Sequence, residues 1–262
     1  MKEICRDLDA EGRLIEDLVS GLSEDQWRLA TPFGGWTIKD EIAHIAFFDK
    51  MAKLSATDPK AFETLLMEFA KDLPNFFQNT MAEGRSKPVP DLLAWWKTER
   101  RAMLSALASL DPKTRVPWQL PMSARSLATA RLMETWAHGQ DIFDALRLEH
   151  EPTPGLRHIA HLGVATFGWS FTCHGRQVPA TPVRVELQGP SGELWSWGPE
   201  DAGERIIGTA RDFCLVVTQR RHHQDTRLAI AGEVSQQWMQ LAQAFAGPPA
   251  TAPPPGAFPL SI

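Results

Sequence analysis

The stretch Gly-Gly-Trp-Thr-Ile-Lys-Asp-Glu-Ile-Ala-His-Ile (34–45) decides how this chain is read. Two glycines end a turn-rich segment, Thr-Pro-Phe-Gly-Gly-Trp, and Thr37 stands where a helix N-cap belongs. Asp40 and Glu41 follow in the first turns, where negative charge suits the positive end of the helix dipole. Ile38, Ile42 and Ile45 then form one apolar stripe, and His44, Phe48 and Met51 an adjacent one at i, i+4 and i+7. The spacing predicts a helix that carries His44 close to the core.

Helical patterning continues on both sides. Leu8, Ile15, Leu18 and Leu22 predict a helix over 7–22, and Ser23 with Gln26 has the capping-box pattern of a short further turn. Helices are expected over 59–72 and 91–110, the second stopped by Pro112. Ser123 is placed to cap a long helix running to Leu146. Long helices joined by turns predict a bundle over 1–150. Glu-Pro-Thr-Pro-Gly (151–155) breaks the pattern, and a connecting helix is expected within 151–176. From 177 to 262 the period changes to two. Val183, Val185 and Leu187 alternate with Arg184 and Glu186, a Gly-Pro-Ser-Gly turn follows, and Leu194, Trp195 and Trp197 suit a partner strand. Short strands are expected around Ile206 and Ile230 with a helix from Thr209 between them, and a closing helix over 234–245. The second region therefore reads as a small α+β domain with a Pro-rich tail.

Composition narrows the function classes. A net charge of −5 over 262 residues argues against a broad nucleic-acid-binding face. No apolar run is long enough for a membrane span, and the N-terminal residues show no apolar signal core. With three cysteines (Cys5, Cys173, Cys214) and no CxxC, a cytoplasmic location is expected. Tyrosine is absent, which excludes a tyrosine acid or nucleophile within this chain.

The chemistry-bearing residues centre on Glu134-Thr-Trp-Ala-His138. Four apart on a helix, Glu134 and His138 share a face, and His44 could approach from a facing helix. Two imidazoles and one carboxylate would leave an open coordination position on a divalent cation, as catalytic zinc sites do. Taken alone, such residues are more often a surface Glu–His pair and a hydrogen-bonded core histidine. Asp141, one turn beyond His138, could orient its imidazole, bond an arginine or be a plain helix-surface carboxylate. Trp36 could wall the pocket or simply pack in the core, as could Trp95, Trp96 and Trp136. His158 with His161 and His222 with His223 lack a carboxylate at helical spacing. Cys173 and His174 are neighbours expected to point apart, and Cys214 reads as a buried small hydrophobe. No Walker loop, dinucleotide fingerprint or HExxH is present.

The segment 34–45 resembles the W-T-x-x-D-x-x-A-H signature of the DinB-like superfamily. With Glu134, His138 and Asp141 as E-x-x-x-H-x-x-D, the chain is similar to the mycothiol-dependent maleylpyruvate isomerase family, and to a branch of it described as metal-binding. That resemblance implies an N-terminal four-helix bundle holding a metal, usually zinc, on His44, Glu134 and His138. It implies a C-terminal sterol-carrier-like α+β domain. Thr218-Gln-Arg matches a family position for a substrate-facing arginine, but Gln219 replaces the family's glycine and Arg221 follows Arg220, so either arginine is a candidate.

The implied activity is a thiol-dependent isomerase or transferase reaction on a small carboxylate-bearing substrate, with a low-molecular-weight thiol held as thiolate. Zn2+ is the expected ion, with Fe2+ and Ni2+ as alternatives. The same donors also form the facial triad of non-haem iron oxygenases. A third reading is a lipid-binding protein with a structural metal. Homodimerisation through the bundle is left open, since no exposed apolar stripe argues for it.

Overall fold

The computed structural model describes residues 1–72 and 75–258, apart from the side chains of Phe76 and Phe77; residues 259–262 of the expected tail lie outside these. The chain divides into two compact units, Met1–His150 and Glu151–Ile262.

In the first unit four long helices form the bundle: α1 (Lys2–Ser20), α3 (Ile38–Thr57), α6 (Val89–Ser109) and α7 (Ala124–Leu146). The short helices α2 (Glu24–Trp27), α4 (Pro59–Ala70) and α5 (Phe76–Arg85) and a two-stranded ribbon, β1 (Arg115–Val116) with β2 (Met122–Ser123), fill the connections. Helix α3 packs on α6 and α7, and α1 packs on the same two from the other side. Ile15, Val19, Trp27, Ile42, Ala46, Leu92, Trp96 and Ile142 form the main core, drawn from all four long helices. Burying each large apolar side chain contributes about 1.5–3 kcal/mol, so this shared core holds the bundle closed.

The expected caps are present. Ser23 and Thr37 both form capping boxes, and Ser123 accepts a hydrogen bond from the Ser126 amide. The Thr37 box is reinforced from α5. Arg85 donates to Asp40 Oδ1 at 2.6 Å, while Asp40 Oδ2 accepts from the Thr37 amide and hydroxyl at 3.0 Å each. Helix α5 itself was not expected from the sequence. Asn79, Thr80 and Gly84 are weak helix formers, but tertiary packing overrides them. A Cβ at Gly84 would stand 2.4 Å from Ala43 Cβ, so only glycine lets α5 lie this close to α3.

Helices α3 and α7 are tied by a buried ion pair. Arg131 donates to Asp49 Oδ1 through Nε (3.2 Å) and Nη2 (2.9 Å), and the Trp96 indole donates to Asp49 Oδ2 at 3.1 Å. Both charged side chains are at most 2% exposed. Such a pair is weak evidence for net stability but strongly constrains where the two helices meet.

The second unit contains a four-stranded sheet in the order β4 (Leu194–Trp197), β3 (Val183–Gln188), β5 (Glu204–Thr209), β6 (Ala229–Ala231). β3 pairs antiparallel with β4, Leu187 opposite Trp195, and parallel with β5, Val185 opposite Ile206. Helix α10 (Ala210–Val217) is capped by Thr209 and buries Phe213, and α11 (Glu233–Leu241) buries Trp238. The single helix expected within 151–176 is two, α8 (Leu156–Ala165) and α9 (Phe167–Thr172). They are separated at Thr166, whose hydroxyl donates to the carbonyls of Leu162 (2.9 Å) and Gly163 (3.0 Å). Both fall inside the second compact unit. Among the described residues, no helix is long and apolar enough to cross a membrane.

Two stability predictions follow from the buried charges, with different pH dependence. Arg131→Met strands the Asp49 carboxylate and is expected to destabilise by about 3–5 kcal/mol at neutral pH. Burial pushes the Asp49 carboxyl up, against the pull of Arg131 and the Trp96 bond. Acid therefore neutralises the stranded group early, and the loss shrinks as pH falls through that raised pKa. For Asp40, burial would raise the carboxyl, but hydrogen bonds from Arg85 and Thr37 outweigh it and hold it below its ordinary value. Its contribution is complete above the unfolded pKa and is lost as pH falls through the folded one. Asp40→Ala is expected to cost about 1–2 kcal/mol from pH 7 down to about pH 4, with the gap closing only below that. Urea denaturation midpoints across pH measure both.

Candidate metal centre

The site is built where α3 faces α7. His44, on the second turn of α3, and Glu134 and His138, one turn apart on α7, bring ligand atoms within 4.8 Å of one another. The His44 and His138 rings lie 4.4 Å apart between centroids, and His138 Nε2 is 3.2 Å from Glu134 Oε2. His44 and His138 are buried, while the Glu134 side chain is 29% exposed, so solvent reaches the cluster on the carboxylate side.

The opposite edge of the His138 ring faces a second carboxylate. Nδ1 lies 2.7 Å from Glu41 Oε2 and 3.6 Å from Asp141 Oδ2. Glu41 is fully buried, and its other oxygen accepts from the Thr31 hydroxyl at 2.5 Å. Asp141, one candidate for orienting the imidazole, is buried, with Oδ2 3.6 Å from Nδ1. The sequence reading took Glu41 only as a charge suited to the helix start. A usable signal was present: Glu41 lies three residues before His44, on the same face of a helix otherwise directed into the core.

Aromatic rings wall the cluster. The loop before α3 turns at Gly34 (φ 57°) and Gly35 (φ 77°), left-handed conformations that glycine adopts without strain. The Thr31 amide donates to the Trp36 carbonyl (2.7 Å), closing the loop. Trp36 thereby stacks on His138 (5.7 Å, 10° between planes) and tilts against His44 at 5.0 Å. Phe33 meets the His138 ring edge-on at 5.2 Å, and Phe48 lies 4.6 Å from His44. Trp36 thus contacts both candidate imidazole ligands, while Trp96 and Trp136 are core residues. Phe33 and Phe48 were not singled out from the sequence.

The remaining candidates belong to the second unit. In the second unit, the buried Arg220 donates to the Thr218 carbonyl at 2.7 Å, and the Arg221 guanidinium lies 4.6 Å from the Phe258 ring centroid. Gln219 adopts φ 60°, a conformation natural for the glycine that the resemblance leads one to expect there. Cys173 Sγ and His174 Nδ1 are 3.2 Å apart, contrary to the expectation that they diverge. Cys173 closes α9 and His174 has already left it, so helical splaying of neighbours does not apply. His174 Nδ1 also sits 2.8 Å from the Ser170 carbonyl, and burial pushes the Cys173 thiol up, which opposes a reactive thiolate. Cys214 is fully buried, and burial pushes its thiol well up. The Trp197 indole donates to His161 at 3.2 Å, and burial, then His222, lower the His223 pKa.

The donor chemistry fits a divalent cation. One ring nitrogen of His138 is directed at Glu41 and the other at Glu134 beside His44, the arrangement of an imidazole ready to ligate on one side and be oriented on the other.

Comparison with known proteins places the chain in a family. Residues 8–143 match the mycothiol maleylpyruvate isomerase N-terminal domain family, and residues 179–231 match a family described as wyosine base formation. Two relatives described as uncharacterised proteins, from Mycobacterium tuberculosis strains CDC 1551 / Oshkosh and ATCC 25618 / H37Rv, are each 43% identical over 244 residues. The alignments cover 93% of this chain and 95% of each relative. Two crystal structures of mycothiol-dependent maleylpyruvate isomerase, one a histidine-to-alanine mutant, superpose with TM-scores of 0.54 and 0.55. At 16% identity, covering 84% of this chain and 89% of theirs, they share its fold. The chain belongs to the mycothiol maleylpyruvate isomerase N-terminal domain family.

Proposed function

We propose that the protein is a divalent-metal-dependent enzyme that uses a low-molecular-weight thiol in an isomerase or transferase reaction on a small carboxylate-bearing electrophile. The observation that carries this reading is the convergence of His44, Glu134 and His138, with the far edge of His138 held by Glu41. These three residues would hold the ion, and zinc suits three nitrogen and oxygen donors with a fourth position left open. A cation there would supply Lewis acidity and favour the ionised form of a bound thiol.

The other residues act around that centre. Phe33, Trp36 and Phe48 keep water from the imidazole faces and offer a flat apolar wall to a reactant. Glu134, the most exposed of the three donors, stands on the side from which a thiol can enter. Asp141 lies close enough to Nδ1 to limit rotation of the His138 ring. Arg220 and Arg221 are the candidates for holding a substrate carboxylate through paired N–H donors. The fold shared with mycothiol-dependent maleylpyruvate isomerase supports mycothiol as the first thiol to test and maleylpyruvate as the first substrate.

The test has two parts. Elemental analysis of freshly purified protein is expected to find about one divalent ion per chain, falling to background in His44→Ala and His138→Ala. Turnover of maleylpyruvate or another unsaturated acid is expected to require mycothiol and to vanish with the metal. A metal-free wild type, or turnover undiminished in His44→Ala, would overturn the reading, and oxygen uptake with Fe2+ would assign the site to iron-dependent oxygenase or oxidase chemistry instead. Replacing the arginine that holds the carboxylate is expected to raise KM by roughly 10–100-fold, the worth of a hydrogen bond to a charged group, with metal content unchanged. If neither Arg220→Ala nor Arg221→Ala does so, the arginines have no part in substrate binding.

A further inference from the structure

Glu41 is the residue of the site whose presence most requires a reason. A fully buried carboxylate is costly unless it is hydrogen-bonded and compensated. Both of its oxygens are engaged, Oε1 by the Thr31 hydroxyl at 2.5 Å and Oε2 by His138 Nδ1 at 2.7 Å. The Thr31 bond fixes the rotation of the carboxylate, because Thr31 is itself locked into the loop by its amide bond to the Trp36 carbonyl. The result is a chain of contacts from the aromatic loop, through Thr31 and Glu41, to the back of a candidate metal ligand. Asp141 stands farther from the same nitrogen, with Oδ2 3.6 Å from Nδ1.

We propose that Glu41 is a positioning residue for the metal centre. By accepting a hydrogen bond from His138 Nδ1–H it selects the tautomer whose Nε2 carries the lone pair, and it directs that lone pair toward Glu134 and His44. Thr31 orients Glu41 in turn. This inference rests on the metal-binding reading above but assigns a distinct residue and a distinct effect. A purely architectural tie between α3 and α7 would alter the stability of the fold and leave the affinity and spectrum of a bound ion as they are.

The test uses Zn2+ affinity, measured against a chromophoric chelator, and the visible spectrum of the Co2+-loaded full-length protein. Glu41→Gln keeps the size of the side chain but removes its charge. It is expected to weaken Zn2+ binding about 10–100-fold and to shift the Co2+ bands, while circular dichroism shows the fold retained. Thr31→Val is expected to weaken binding in the same direction but less. Binding within about twofold of wild type in both variants, with an unchanged Co2+ spectrum, would overturn the positioning role and leave the metal reading intact. A wild type that binds no Zn2+ would remove the metal reading itself. Should Glu41→Gln fail to fold, nitrogen-15 NMR of the Zn2+-loaded wild type decides. The proposal expects His138 protonated at Nδ1 and ligated through Nε2, and the reverse assignment overturns it.

Discussion

Helices α3 and α7 are held in register by two buried polar ties, and the candidate site exists because of them. Asp49 on α3 meets Arg131 on α7, and Glu41 on α3 meets His138 on α7. The order reverses between the helices, so they run antiparallel. At 1.5 Å per residue, the ties are about 12 Å apart along α3 and about 10.5 Å apart along α7. The near match lets both form at once without bending either helix. His44 and Glu134 lie between them, and their distance from His138 is therefore set by the ties and not by local loop conformation. A one-residue slip of either helix would turn each of these side chains by about 100° and dissolve the cluster.

The rest of the first unit maintains that register. Thr37, Asp40 and Arg85 fix where α3 begins, and Gly84 lets α5 brace it from behind. Trp96, in the core of α6, also hydrogen-bonds Asp49, so the apolar core and the ion pair share a side chain. The loop with Gly34 and Gly35 lays Trp36 and Phe33 on the imidazoles. Water exclusion by these rings strengthens electrostatic interactions inside the cluster, which favours a cation over an empty group of donors.

Much of this was legible in the sequence, for identifiable reasons. The α3 N-cap, the span of α7 from Ser123 to Leu146 and the alternation in β3 depend on local spacing and capping chemistry, which a single sequence displays. The three donor residues were legible because helical periodicity places Glu134 and His138 on one face and His44 on an inward one. What escaped depended on contacts between distant segments. Helix α5 is made of weak helix formers and is stabilised by α3. The role of Glu41 appears only once His138, 97 residues later, is placed beside it. The approach of Cys173 to His174 depends on where α9 ends, a boundary that spacing alone does not reveal. Family resemblance supplied the convergence of the helices, which the residues by themselves left open.

The central claim is that His44, Glu134 and His138 together hold one divalent cation. X-ray absorption at the metal edge of the loaded, full-length protein tests it most directly. The account predicts a first shell of two imidazole nitrogens and a carboxylate oxygen at about 2.0–2.2 Å, with one further light-atom ligand that a small thiol replaces with sulfur at about 2.3 Å. A shell without imidazole scattering, or sulfur ligation before any thiol is added, would contradict it.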